Sequence, residues 1–281
     1  MSHASTLDLQ SVQGTMLIPL WGRATYSLKN SNILKDPEAV SLIEKIDVDF
    51  SGIEKTFGEF GGLCYVVRAR ILDNMLRDYL KSYPNATIVN IGCGLDTTFS
   101  RVDNGTLRWY NLDLPEAIAY RQSLLPDSER NTCIPKSFFD LSWFDDVAFS
   151  AENGIAFLAG GVFYFFQEEE LRQVVAAMTE RFPGGELYFD AQSKMAMNFS
   201  NKKVKKAGNQ DAAMYFYVNK EKLLKDWSPN ILLARAVPFF QGIPRRKSWK
   251  RSTRRKMFYL SNFGMMKFIH MRFSMKPVKS L

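Results

Sequence analysis

The sequence predicts an α/β protein built on a doubly wound, mostly parallel sheet of seven strands. Three observations lead there. Short apolar runs rich in β-branched residues alternate with amphipathic helical stretches, the pattern of strands joined by crossover helices. The first run, residues 86–91, breaks off at Gly92-Cys93-Gly94, where the backbone needs a freedom that only glycine supplies without steric cost. Asp113 closes the second run nineteen residues after Gly94, and in nucleotide-binding α/β folds an acid about 20 residues past the glycine loop accepts from ribose hydroxyls.

In chain order, Asp36 caps a helix with Pro37 in its first turn, and Ala39, Leu42, Ile43 and Ile46 keep helical spacing. Residues 64–83 form a stronger helix, with Val67, Ile71, Leu72, Met75, Leu76, Tyr79 and Leu80 in one apolar stripe. Beyond the glycine loop a helix starts at Asp96-Thr97-Thr98, and free N–H groups at such a turn favour an anionic or electron-rich ligand. Thr97 occupies the place of the third glycine in a dinucleotide fingerprint. A second strand over 107–112 precedes Asp-Leu-Pro, which suits a helix start over 115–125, so Asp113 reads equally as a cap. A weak third strand, 131–138, is interrupted by Pro135 and followed by Asp140. Residues 154–160 make a buried fourth strand. The helix over 168–182 is acidic at its start, in keeping with the dipole, and is broken by Pro183-Gly184-Gly185. Residues 186–190 give a fifth strand. Residues 231–240 and 265–273 finish the sheet, antiparallel at one edge.

Composition narrows the class. The 281 residues carry a net charge of +8 and an isoelectric point near 9.3. No apolar run approaches the roughly 20 residues that span a bilayer, and MSHASTLDLQ lacks a basic start before an apolar core. Cys64, Cys93 and Cys133 have neither metal-type spacing nor an even count. A reduced, cytoplasmic protein without a metal is expected. The cations concentrate in residues 202–206 and in RRKSWKRSTRRK, residues 245–256. They read as a solvated face and lid, as a funnel for a carboxylate-bearing substrate, or as a nucleic-acid patch with Trp249 interleaved. The two histidines are His3, in the tail, and His270, inside a late strand. A histidine base is therefore not expected. A carboxylate acceptor tolerates that, being ionised already at neutral pH.

Three stretches together carry a family resemblance. GCGLDTTFSRV, WYNLDLPEAI and SFFDLSWFDDV resemble the successive motifs of class I S-adenosylmethionine-dependent methyltransferases. More narrowly they are similar to the leucine carboxyl methyltransferase family with its tetracenomycin-type polyketide O-methyltransferases. The LDT after the glycines and the DLP after the second strand mark that branch. LIPLWGRA and AGGVFYFFQEEEL extend the match to roughly residues 14–195.

The resemblance implies S-adenosylmethionine as cofactor and a Rossmann-like fold. Arg68 would hold the methionine carboxylate, a planar anion suited to a two-pronged guanidinium. Gly92, Cys93 and Gly94 would face the methionine portion, Asp113 the ribose hydroxyls and Leu114 the adenine. Asp140 would accept from the adenine amino group with Leu141 beside it. Arg23 and Tyr164 are the candidate substrate contacts, Arg23 meeting either the cofactor or the substrate carboxylate, with Phe163 next to the pocket; catalysis itself would rest on proximity. The expected division is a disordered tail (1–13) and a single domain of four parts: an N-terminal helical cap (14–85), a cofactor-binding core (86–192), a lid insertion (193–230) and terminal strands (231–281).

Two departures stand out. Thr98 follows the LDT where many relatives carry arginine, and Gly160 ends strand four where many carry glutamate. The expected activity is methyl transfer to a carboxylate or hydroxyl of a small, anionic, polyketide-like molecule. The alternatives are a nucleic-acid-modifying methyltransferase, a catalytically idle S-adenosylmethionine binder and an NAD-dependent oxidoreductase, the last disfavoured by Thr97 and by the extra station at Asp140. Neither a membrane nor a nucleic acid is the expected partner, and a homodimer is left open.

Overall fold

The computed structural model describes residues 12–206, 213–276 and 278, with the side chains of 12–14 and 203–206 outside that description. Most of the predicted tail, His3 and the lysine side chains from 203 to 206 therefore lie outside the described residues.

Seven strands form one sheet in the order β3-β2-β1-β4-β5-β7-β6. They are β1 (Thr87–Ile91), β2 (Arg108–Asp113), β3 (Asn131–Pro135), β4 (Ile155–Ala159), β5 (Glu186–Gln192), β6 (Ile231–Pro238) and β7 (Met266–Phe273). The first five run parallel. Of the two late strands only β7 is antiparallel to the rest, and it lies inside β6 rather than at the edge. β1 and β4 are buried along their full length, which explains their unbroken apolar runs.

Helices cover both faces: α1 (Val12–Lys29), α2 (Pro37–Lys45), α3 (Ser51–Ser82), α4 (Thr98–Val102), α5 (Pro115–Leu124), α6 (Glu168–Arg181), α7 (Lys194–Lys206) and α8 (Arg251–Asn262). On one face Val89, Ile91, Phe157 and Phe189 pack against Leu171, Val174 and Met178 of α6. On the other, Ile88, Leu158, Tyr188 and Phe268 pack against Val66, Val67, Ile71, Leu72 and Leu76 of α3. The even-numbered residues of β5 thus look toward α3.

Three expectations change. The long helix begins at Ser51, not at Cys64, with a kink where Gly58 has φ +55°. The stretch read as a lid contains α7, and beyond it Phe216, Val218, Leu224 and Trp227 are buried in the main core. The basic segment 245–256 runs into α8, whose Thr253 and Met257 are buried. Trp249 is buried as well, its Nε1–H donating to Asn30 Oδ1 at 3.1 Å, so it does not interleave with exposed cations.

Candidate active site

The chain direction across the sheet reverses between β1 and β4, and ligands of open α/β sheets bind beyond the carboxyl ends of strands at such a switch point. Glycines and acids from the carboxyl ends of five strands gather at that rim. Gly92, Cys93 and Gly94 leave β1, Asp113 ends β2, Asp140 follows β3, Gly160 and Gly161 leave β4, and Asp190 lies near the end of β5.

The glycine loop is tightly stitched. Gly92 (φ +60°) and Gly94 (φ +44°) take left-handed backbone. A Cβ on Gly92 would overlap Val162, and one on Gly94 would stand 3.0 Å from Met16 Cγ of α1. The N–H groups of Gly92 and Cys93 donate to the Leu112 carbonyl at 2.8 and 3.3 Å. That of Gly94 donates to Asp113 Oδ2 at 2.8 Å. The expectation of free loop amides is corrected: these three are engaged within the protein. A pyrophosphate would ask for such donors, whereas a ligand without phosphate does not.

Asp113 bridges this loop and the next, since its Oδ1 accepts from the Leu114 N–H at 2.8 Å. It does not cap α5, whose cap position is Leu114. Burial pushes its carboxyl up, opposed by the bonds from Gly94 and Leu114. Asp140 is exposed, and its Oδ1 caps a 3-10 turn by accepting from the Ser142 N–H at 3.0 Å. Hydrogen bonding from Ser142 holds that carboxyl below the usual range. Leu114 and Leu141 follow the ends of adjacent strands and stay exposed, at 40% and 42%. An apolar side chain left open at this rim suits a flat ring laid against it.

Arg68 sits on α3 with its Nε donating to Asp190 Oδ2 at 2.8 Å. Burial, the largest single influence, would lower its pKa, but the Asp190 charge and hydrogen bond together with Tyr164 and Tyr65 hold it above the ordinary value. The same carboxylate accepts from the Gly161 N–H at 2.6 Å and from the Tyr164 hydroxyl at 2.8 Å. Tyr164 and Phe163 are buried, so the Tyr164 hydroxyl serves Asp190 and is not open to a substrate.

Arg23 is likewise enclosed. Its Nε donates to Asp36 Oδ2 at 3.1 Å and its Nη2 to the Leu95 carbonyl at 2.8 Å. Instead of meeting a substrate carboxylate, it ties α1 to the helix cap at Asp36 and to the glycine loop. Thr97 completes this network through its Oγ1–H, 2.8 Å from Asp36 Oδ2. Arg101 reaches Asp36 through Nη1 at 2.7 Å and Asp73 through Nε at 2.8 Å. The two threonines of the loop thus have partners of their own: Thr97 hooks the cap of α2, and Thr98 accepts from Arg101 Nη2 at 2.8 Å.

The sequence reading missed three contributors. Arg121 of α5 is buried and donates through Nη1 to the carbonyls of Gly94 and Asp96 at 2.9 and 2.8 Å. The Asp36–Arg101–Asp73 network had no local motif to reveal it. Asp190 did carry a signal, an acid closing a strand like Asp113.

The leucine carboxyl methyltransferase family matches residues 17–179, more than half the chain and every rim station except Asp190. The chain belongs to this family. It is 28% identical over 196 residues to the tetracenomycin polyketide synthesis O-methyltransferase TcmP of Streptomyces glaucescens, covering 69% of this chain and 71% of that protein. In fold it is similar to a candidate methyltransferase of Thermobifida fusca, with a TM-score of 0.59, 13% identity and coverage of 83% and 92% of the two chains. A DUF574-family protein of Streptomyces avermitilis aligns with a TM-score of 0.53 and 12% identity, covering 79% and 95%. The leucine carboxyl methyltransferase fold here is thus the seven-stranded class I arrangement, and its cofactor is S-adenosylmethionine. The residues present fit that molecule. A half-buried guanidinium, a strand-end acid, two exposed leucines and a loop whose Gly92, Cys93 and Gly94 amides are already engaged match its carboxylate, ribose, adenine and lack of phosphate. Among the described residues no helix is long and apolar enough to cross a membrane, and no acid, histidine and cysteine cluster could hold a metal.

Proposed function

We propose that this methyltransferase transfers a methyl group to an oxygen of a small anionic molecule, a carboxylate or hydroxyl of a polyketide-like metabolite, in the cytoplasm. When bound, S-adenosylmethionine supplies an electrophilic methyl on its sulfonium. The chain's part is to hold the reactants: Arg68 toward the donor's carboxylate, Asp113 toward the ribose hydroxyls, Leu114, Asp140 and Leu141 around the adenine, and the Gly92-Cys93-Gly94 loop against the methionine portion. Met16 of α1, lying on Gly94, helps to close the site from water.

The observation that carries an oxygen acceptor of low pKa is the state of His270. Its Nδ1 accepts from Arg235 Nε at 2.9 Å and its Nε2 meets Glu186 Oε2 at 2.7 Å, under a stacked Tyr188 ring. That imidazole is locked within the sheet and serves no acceptor. A carboxylate needs no proton removed at neutral pH, so alignment and dehydration suffice. The tetracenomycin relative, an O-methyltransferase, supports an oxygen acceptor. The test is methyl transfer from methyl-labelled S-adenosylmethionine to panels of aromatic carboxylic acids and phenols. A product that releases labelled methanol in alkali is an ester and supports a carboxylate acceptor; an alkali-stable aryl ether assigns the hydroxyl instead.

Nucleic-acid modification is favoured by one feature. Eight cations lie between residues 245 and 256, and none has an ion-pair partner among the described residues. Labelling of RNA or DNA under the same conditions would move the assignment there.

A further inference from the structure

Asp190 lies outside the quoted motifs and beyond the family match over residues 17–179, and its surroundings are unusual. Its carboxylate has no exposed surface, yet three donors from three separate elements converge on it: Arg68 Nε from α3, the Tyr164 hydroxyl from the turn after β4, and the Gly161 N–H at the end of β4. Asp190 engages Arg68 through Nε, which leaves the forked Nη1 and Nη2 end of the guanidinium for another planar anion. Arg68 keeps 18% of its side chain exposed at this point, whereas Asp190 keeps none.

The glycines after β4 make the berth. Gly161 has φ +82°, and a Cβ there would stand 2.6 Å from Arg68 Nη1. A Cβ on Gly160 would come 3.1 Å from Leu72 Cδ1 and 3.6 Å from Arg68 Cδ. Asp190 follows Phe189, the register partner of Ala159, so it stands beside Gly160 across the β4–β5 ladder. A large acid at 160 would occupy the ground on which the Arg68 side chain lies.

We propose that Asp190 is a positioning residue for cofactor recognition. It anchors Arg68 in the berth made by Gly160 and Gly161 and aims its forked end at the donor's carboxylate. The inference rests on Arg68 as the holder of that carboxylate.

The test compares two probes by titration calorimetry. S-adenosylhomocysteine carries the amino-acid carboxylate, and 5′-methylthioadenosine shares its adenosine end but lacks that group. In Asp190→Asn, affinity for S-adenosylhomocysteine is expected to fall by about tenfold or more, the scale of a displaced charge-assisted pair. Affinity for 5′-methylthioadenosine should stay within about twofold, which also reports an intact fold. Arg68→Ala should show the same selective loss, and Arg68→Ala/Asp190→Asn no more than Arg68→Ala alone, because Asp190 acts through Arg68. Gly161→Ala, which crowds Nη1 while leaving Asp190 in place, should repeat the pattern and serves if Asp190→Asn does not fold. Equal loss of both probes in Asp190→Asn, or no loss of either, overturns the proposal. Wild-type protein that binds neither probe overturns the cofactor reading itself.

Discussion

Replacing Asp36 by alanine tests how the N-terminal helices hold the glycine loop. Asp36 is buried, and four donors meet its carboxylate: the Ala39 N–H, Thr97 Oγ1, Arg23 Nε and Arg101 Nη1. Alanine removes the side-chain cap of α2, worth about 1 kcal/mol. It also strands two buried guanidinium groups. Arg101 keeps Asp73, but among the described residues Arg23 is left with only the Leu95 carbonyl as a hydrogen-bond partner. Removing one partner from a buried ion pair costs about 3–5 kcal/mol. The total expected loss is therefore roughly 4–6 kcal/mol, with Arg101 adding little because Asp73 still holds it. At about 2–3 °C per kcal/mol for a domain of this class, Tm should drop by roughly 8–18 °C. The assay is calorimetric or circular-dichroism melting of the apo protein, with urea midpoints as a check. Because Arg23 also holds the Leu95 carbonyl, Arg23→Ala should lose stability in the same direction. A Tm change of under about 2 °C in Asp36→Ala would refute the reasoning and reopen Arg23 as a substrate contact.

Three further outcomes follow from the same contacts. Asp113→Ala should weaken S-adenosylhomocysteine binding by about 1.5–3 kcal/mol while circular dichroism shows the fold retained; unchanged affinity in calorimetry would make Asp113 a loop staple only. Burial raises the Asp96 carboxyl, but Arg23 and Arg101, with the Thr98 hydrogen bond and Arg121, hold it below its ordinary 3.8; its share of stability is then complete above that value and lost as the pH falls below it, so wild type minus Asp96→Asn in ΔG should shrink as the pH falls below about 4. The basic face should bind nucleic acid weakly and without sequence preference at physiological salt, since a true duplex site loses about 0.9 logarithmic units of affinity per phosphate contact for each tenfold rise in salt. Submicromolar filter binding that vanishes when Arg245, Arg246, Arg254 and Arg255 are neutralised would contradict this.

The sheet was legible because β1 and β4 are buried on both faces and so read as unbroken apolar runs. The rim acids were legible because a carboxylate at a strand's end leaves a local mark, as at Asp113. Contacts between distant segments leave none: Arg23 and Asp36 are thirteen residues apart, and Arg68 and Asp190 are 122 apart. Arg23 and Tyr164 fell in the right motifs, but the sequence does not show that Asp36 and Asp190 already occupy them. The helix α8 was obscured by its composition. Cations crowd its first turn, against the helix dipole, and only Thr253 and Met257 are buried along it. Residues 193–230 read as a lid because their mixed composition hides Phe216 and Trp227, which the core covers.

The central claim is that the rim between β1 and β4 holds S-adenosylmethionine and not a dinucleotide. Titration calorimetry of the apo protein with S-adenosylmethionine, S-adenosylhomocysteine and NAD tests it directly. The account predicts low-micromolar or tighter binding of S-adenosylhomocysteine and a raised melting temperature, about 2.7 kcal/mol of added stability at 100 times its Kd, with no heat from NAD. Binding of NAD with no response to either adenosyl ligand would contradict it.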